Sequence, residues 1–203
     1  MNPRAREAPL QHLDDNQLIR EFRRGREQAF EVLVRRHGAS IKAYALRMLH
    51  NPEQAEEVFE ETFLRVATAQ GRWEDRGTVR GYLFTIAHRL CIDLLRRRKV
   101  ARDAVPHLVE LQRGRRVQPS PEAAAAMGQR AERLEQAIAQ LSEEHRQVLL
   151  MRTLHGLSAA ETGAALGLSE SQIHSQLSYA RRRLRSILAD MGDALNTSQR
   201  RRA

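Results

Sequence analysis

Residue types capable of bond chemistry are sparse in this 203-residue chain. Cys91 is the only cysteine, and His88 lies three positions before it on one helical stretch. Two ligands do not make a zinc site, and a buried cysteine beside a partly exposed histidine is the plainer expectation. His145, His155 and His174 show no ligand spacing among them. No phosphate-cradling glycine loop occurs, and no nucleophile motif. The expectation is a chain that is not an enzyme and holds neither metal nor cofactor. What its residues offer instead is ionic recognition. Lys and Arg number 34 against 25 Asp and Glu, a formal charge of +9, and the pI is about 10.9. Such a surplus points to a polyanionic partner. Lys42 and Lys99 are the only lysines. Nearly all the positive charge is therefore arginine, whose forked donors suit phosphates and base edges.

The charges are segregated. Glu53, Glu56, Glu57, Glu60 and Glu61 fall within nine residues, with no basic residue until Arg65. Val58, Phe59, Thr62 and Phe63 interleave with them. Glutamates at this density repel phosphate, so the face must meet a basic protein surface or only water. The next helical stretch carries Arg80, Thr85, His88 and Arg89 and ends in Arg96-Arg97-Arg98-Lys99. Trp73 and Arg76 stand in the polar loop before it. An aromatic ring beside cations suits single-stranded nucleic acid, where bases stack and cations hold the backbone. Alone this signal is weak, since a single tryptophan is more often a core residue.

Leu157–Ile173 carries a second recognition signal. Ser158 with Glu161 and Ser169 with Gln172 form two capping boxes, each marking a helix start. Gly167 sits between them, where the turn needs a left-handed residue. Gly163 is small, as required where two helices cross closely. Leu166, Leu168 and Ile173 fill the crevice. Two short helices joined by a glycine-containing turn are the helix-turn-helix unit, whose second helix enters the major groove. Along that helix Ser171, Gln172, His174, Ser175, Gln176, Ser178 and Tyr179 offer donors and acceptors for base edges. Arg181, Arg182, Arg183 and Arg185 suit phosphates.

The elements that position these groups are all helical. Residues 1–13, with Pro3 and Pro9, read as a flexible tail. Helical periodicity predicts elements from Asp14, over about 28–49, 52–69 and 79–98, and over about 129–140, 143–154, 159–166 and 170–189. Asn51-Pro52 reads as an N-cap followed by proline at the first helical position. Residues 101–128, with Pro106, Pro119 and Pro121, read as a linker, and 191–203 as a second flexible tail. Aromatics are only 4% of the chain, which suits helical cores of Leu, Ala, Val and Ile. The expectation is an all-α chain: one helical domain over 14–100, a linker, and a helix-turn-helix domain over 129–190. The lone cysteine excludes an internal disulfide and points to a reducing compartment. No apolar run is long enough to span a membrane, and residues 1–18 lack the features of a secretory signal. The chain is expected to be cytoplasmic and not inserted in a membrane.

Asp15–Arg98 together with Arg130–Leu188 resembles the sigma factors of bacterial RNA polymerase, in the compact extracytoplasmic-function class of the sigma-70 family. The pieces that carry the resemblance are Gln54–Arg65, Arg80–Arg89, Ile92–Arg98, Leu141–Leu150, and Gly156-Leu157-Ser158 with the helix-turn-helix after it. The resemblance implies a promoter-directing subunit without bond chemistry of its own. Residues 14–100 would be sigma region 2 and 129–190 sigma region 4. It implies that Glu56, Glu57, Glu60, Glu61 and Phe63 dock on core polymerase. Trp73, Arg76, Gly77, Thr78, Arg80, Thr85 and Arg89 would bind the unwound minus-10 element. His174, Ser175, Gln176, Ser178, Tyr179 and Arg181 would read the minus-35 element as duplex. The linker would thread near the active-site and RNA-exit path. Control by an anti-sigma factor, in response to a stress or envelope signal, is also implied.

Some positions depart from the family pattern. The family usually carries basic residues where His174, Gln176 and Tyr179 stand, so phosphate attraction and its salt dependence should be weaker here. Arg76-Gly77-Thr78 differs from the common loop versions. Glu60 replaces a frequent glutamine and adds charge to the dock. Two other functions fit the residues: a stand-alone helix-turn-helix regulator that binds duplex without polymerase, and an adaptor that uses the acidic helix but has lost promoter recognition.

Overall fold

A computed structural model of the chain describes residues 10–68, 77–104 and 121–200. Every regular element among them is helical. A 3₁₀ turn, Leu10–His12, precedes α1, Asp15–Arg23. Then come α2, Glu27–Leu49, α3, Pro52–Thr68, and α4, Val79–Ala104. The second half holds α5, Pro121–Ala139, α6, Glu143–Leu149, α7, Ala159–Leu166, and α8, Glu170–Arg200.

Local chemistry sets the helix starts. The Asp14 side chain accepts from the Gln17 amide at 2.7 Å while Gln17 Oε1 accepts from the Asp14 amide at 2.9 Å. This reciprocal cap is worth about 1 kcal/mol. Asn51 Oδ1 accepts from the Gln54 amide at 2.9 Å, with Pro52 opening α3 as expected. α6 ends in a single π turn, Leu150–Leu154, where the sequence pattern suggested one continuous helix.

Several boundaries move outward. Leu10 and Leu13 pack against the core and Arg36 donates to the Gln11 carbonyl at 2.7 Å, so the expected N-terminal tail folds from residue 10. α4 runs to Ala104, four residues into the expected linker, because no breaker occurs before Pro106. α5 starts at Pro121 and breaks at Gly128, whose φ of +67° interrupts the helix. α8 continues to Arg200, through the described part of the expected C-terminal tail.

The apolar stripes of α1–α4 bury Leu18, Leu33, Ile41, Met48, Val58, Leu83, Phe84 and Cys91. Those of α5, α6 and α8 bury Ile138, Val148, Ile173, Leu177 and Ile187, joined by Leu150 and Met151 of the π turn and Leu157 of the loop after it. The two sets join in one continuous core, because the two halves pack on each other.

Candidate nucleic-acid interface

The helix-turn-helix is built as its caps require. Ser158 Oγ accepts from the Glu161 amide at 3.1 Å and Glu161 Oε2 from the Ser158 amide at 2.7 Å. Ser169 and Gln172 repeat the arrangement at 3.3 and 2.9 Å. Gly167 closes α7 with φ +69°. The Leu168 carbonyl oxygen would lie 2.5 Å from a Cβ on Gly163, so only glycine admits this approach of the turn. Ile173, Leu177 and Ala180 bury the inner side of α8.

His174, Ser175, Ser178, Tyr179 and Arg181 are exposed on the outer side, where a duplex would have access. Gln176 differs: it is half-buried, and its Oε1 is buried without a hydrogen-bond partner. Tyr179 is 48% exposed, yet its ring is held. His145 of α6 stacks on it with centroids 4.3 Å apart, and the Arg182 guanidinium lies 5.9 Å from its centroid. His145 lies 34 residues before Tyr179 in the sequence. Nothing in the local pattern links the two.

The acidic helix α3 presents Glu57 and Glu60 as exposed carboxylates. Glu56 pairs with Lys42, and Glu61 accepts from Arg65 at 2.7 Å, so these two are partly neutralised by the chain itself. Phe63 requires a correction. It is only 6% exposed, seated edge-on to Phe30 and Phe59 with centroids 6.1 and 5.3 Å away. It is a core residue of this fold, not an exposed member of the acidic face. The apolar residue on the outer side is its neighbour Leu64, 57% exposed, which no spacing signal in the sequence distinguishes from Phe63.

At the start of α4, Trp73 and Arg76 lie outside the described residues. Gly77 has φ +118°, and Thr78 caps the helix, its Oγ1 accepting from the Gly81 amide at 3.0 Å. Thr78 and Arg80 both reach across to the second half of the chain. Thr78 Oγ1 donates to Glu161 Oε1, and the Arg80 guanidinium donates to the His155 carbonyl. Thr85 is half-buried, its hydroxyl donating back to the Gly81 carbonyl at 2.8 Å. Arg89 is exposed.

The contact between the halves extends inward from there. Burial and neighbouring arginines hold the His155 imidazole down to about 4. Its ring packs 5.0 Å from Phe84 and 5.9 Å from Tyr44. Tyr44 Oη meets His88 Nδ1 at 3.0 Å. His88, expected to be partly exposed, is buried, and it too is lowered to about 4, first by burial and then by Arg89 and Arg96. Burial pushes the Cys91 thiol up to about 12, so it is an unreactive core group. At the far edge Arg47 holds Glu135 through three hydrogen bonds of 2.5–3.0 Å. Arg146 donates to the Ala139 and Leu141 carbonyls at 2.8 Å each and to His50 Nε2 at 2.9 Å. No group of three or more metal-ligating side chains occurs among the described residues.

An acidic helix, an arginine-bearing helix start and a helix-turn-helix stand together among the described residues, all of them on or beside helices. The Sigma-70 region 2 family matches residues 33–100, and the Sigma-70 region 4 family matches residues 131–184. The ECF RNA polymerase sigma factor SigL of Mycobacterium tuberculosis is 34% identical over 168 residues, covering 79% of this chain and 89% of SigL. SigE of Mycolicibacterium smegmatis is 30% identical over 162 residues, and the match spans 79% of this chain and 62% of SigE. In fold, the chain is similar to the sigma factor RpoE of Bartonella quintana, solved in complex with the anti-sigma factor NepR. The TM-score is 0.68 at 21% identity, covering 79% of this chain and 96% of RpoE. The chain belongs to the extracytoplasmic-function sigma factors of the sigma-70 family. As such it is an initiation factor and not an enzyme: it binds core RNA polymerase and directs it to promoter DNA. No helix among the described residues is long and apolar enough to cross a membrane.

Proposed function

We propose that the two regions divide promoter recognition between them, with α3 as the polymerase dock. Glu57, Glu60 and Leu64 form the centre of that dock, flanked by Glu56 and Glu61. The segment from Trp73 to Arg89 takes the unwound minus-10 strand, with Gly77, Thr78, Arg80, Thr85 and Arg89 near the start of α4. The outer face of α8 reads the minus-35 duplex through His174, Ser175, Ser178, Tyr179 and Arg181. Gln176 contributes less directly, since its amide is turned partly inward. Residues 14–100 and 129–190 act as two tethered modules, so each raises the effective concentration of the other on promoter DNA. Bases that leave the duplex are captured at α4, which offsets an unstacking cost of a few kcal/mol. The factor works in the cytoplasm and is restrained by an anti-sigma factor that responds to a stress or envelope signal.

The segregation of charge carries this assignment. Exposed glutamates gather on α3, while Arg181, Arg182, Arg183 and Arg185 line exposed positions of α8. Like charge on α3 excludes DNA there and favours a basic protein surface. The test is co-purification and in vitro transcription with core polymerase. Glu57→Lys with Glu60→Lys is expected to abolish polymerase binding while duplex binding persists. Glu56→Lys with Glu61→Lys is expected to act more weakly, because Lys42 and Arg65 already neutralise those carboxylates. A Glu57→Lys, Glu60→Lys chain that still directs promoter-dependent transcription overturns the dock.

A further inference from the structure

Tyr179 stands on the outer face of α8 among serines and arginines, and its ring is not free to turn. We infer that His145 of α6 is a positioning residue for duplex recognition: it holds the Tyr179 ring so that the ring edge and hydroxyl are what a base pair meets. His145 lies outside the helix-turn-helix, and its role rests on the assignment of α8 to the minus-35 duplex.

The two rings lie 4.3 Å apart between centroids, with planes 26° from parallel. The imidazole is itself tethered, its Nδ1 2.6 Å from Ser142 Oγ. Ser142 is the N-cap of α6, yet its side chain bonds no amide of the first turn. A serine at this position ordinarily satisfies such an amide; here its hydroxyl is committed to the imidazole. The Arg182 guanidinium lies 5.9 Å from the Tyr179 centroid. Gln172, Ser175, Tyr179 and Arg182 recur at intervals of three and four residues, so they share one stripe of α8. The fixed ring thus sits within a polar row that a major groove would receive.

The stack decides how Tyr179 can be used. One face of the ring is covered by imidazole, so a base cannot stack there. The side chain is nonetheless 48% exposed, which leaves the edge and the hydroxyl. The hydroxyl can donate and accept, and the ring edge can rest against a thymine methyl in the major groove. Discrimination of this kind needs the group held to within about 0.5 Å of its working position. A tyrosine free to rotate would lose that freedom on binding and would suit several bases equally. The stacked ring is already ordered. His145 therefore acts through Tyr179 and not on the base itself.

The test is a base-preference profile. Holoenzyme assembled from bacterial core polymerase and the full chain selects from linear duplexes carrying a randomised stretch, and the recovered sequences are aligned. The starting protein is expected to yield an upstream and a downstream block. Tyr179→Ala should flatten the preference at a particular position of the upstream block. His145→Ala should flatten the same position, with the favoured base losing about fivefold in relative recovery. His145→Phe keeps a ring against Tyr179 and should restore the preference. Ser142→Ala releases the imidazole without opening the core and should weaken that position to a lesser degree. It also serves as the second variant should His145→Ala unfold early. The downstream block should be the same throughout.

A histidine that merely stabilised the fold would lower recovery evenly across the upstream block, and such an even loss overturns the positioning role. So does an unchanged profile in His145→Ala, or a failure of His145→Phe to restore the preference. The comparison with Tyr179→Ala separates this role from the reading beneath it. If Tyr179→Ala changes a position and His145→Ala does not, the role of His145 falls and the duplex reading by α8 stands. If the starting holoenzyme selects no upstream block, or Tyr179→Ala leaves that block intact, the duplex reading by Tyr179 falls and the role of His145 goes with it.

Discussion

Gly163→Ala sets a favourable local effect against an unfavourable tertiary one, and the structure decides which wins. Within a helix interior, alanine is favoured over glycine by about 1 kcal/mol. Against this, the new Cβ would stand 2.5 Å from the Leu168 carbonyl oxygen, nearly an ångström inside ordinary contact. That oxygen belongs to backbone and cannot swing away. Its residue is tied to α7 by the Leu168 amide, which donates to the Gly163 carbonyl at 3.0 Å. Ile173 Cγ1, 3.9 Å from the same point, closes the other side. The turn and α8 must therefore move off α7. A radial gap of about 0.5–1 Å forfeits a quarter to a half of each dispersion contact across the crevice, and overpacking of a tight core costs about 1–3 kcal/mol or more. The expected net loss is about 2 kcal/mol. For a chain of this size that lowers the thermal midpoint by about 4–8 °C. Gly167→Ala supplies the contrast. Its φ of +69° strains an alanine, but nothing lies within 4 Å of the added Cβ. A loss of only about 1 kcal/mol is expected there. Thermal unfolding followed by circular dichroism measures both. A Gly163→Ala protein as stable as the starting chain, or more stable than Gly167→Ala, would refute the steric account of the turn.

Acid should loosen the fold through its buried histidines. His88 and His155 are each held to about 4, while an unfolded histidine takes its proton near 6.5. Between those values the unfolded chain binds more protons, so stability is full above pH 6.5 and falls as pH drops toward 4. Urea titrations at pH 7.5 and pH 5 should differ by about 1–2 kcal/mol per histidine; a flat profile would show that these imidazoles are not buried neutral. Tyr44→Phe removes the hydroxyl that meets His88 Nδ1 at 3.0 Å but keeps the ring against Phe84. Denaturant unfolding should show a loss of about 1–2 kcal/mol for the unsatisfied buried nitrogen, and an unchanged midpoint would contradict the bond. Arg146→Met keeps an apolar stem but strips the donors from the Ala139 and Leu141 carbonyls and from His50. A loss of about 2 kcal/mol is expected, read in the same assay, and a change within about 0.5 kcal/mol would show that water replaces the guanidinium at no cost.

The sequence by itself determined the helices and the helix-turn-helix. Asp14 with Gln17, Asn51 before Pro52, and Ser158 and Ser169 with their partners three residues on are caps whose donor and acceptor lie within one turn. Gly167 meets a local backbone demand at φ +69°. Composition likewise exposed the acidic and arginine-rich stretches that carry the candidate site. Which residue of an adjacent apolar pair turns inward was not legible. Phe63 and Leu64 are both apolar and neighbours on α3, and the rotation of that helix against Phe30 of α2 sends the first into the core and the second outward. Nor were the pairings between the halves legible. Arg80 meets the His155 carbonyl across 75 residues, and Thr78 meets Glu161 across 83. A cap depends only on the residues of its own turn, so their order along the chain specifies it. A contact between α4 and α7 depends on where the whole of each half is carried by its core, and only the folded arrangement of those cores brings Glu161 to the start of α4.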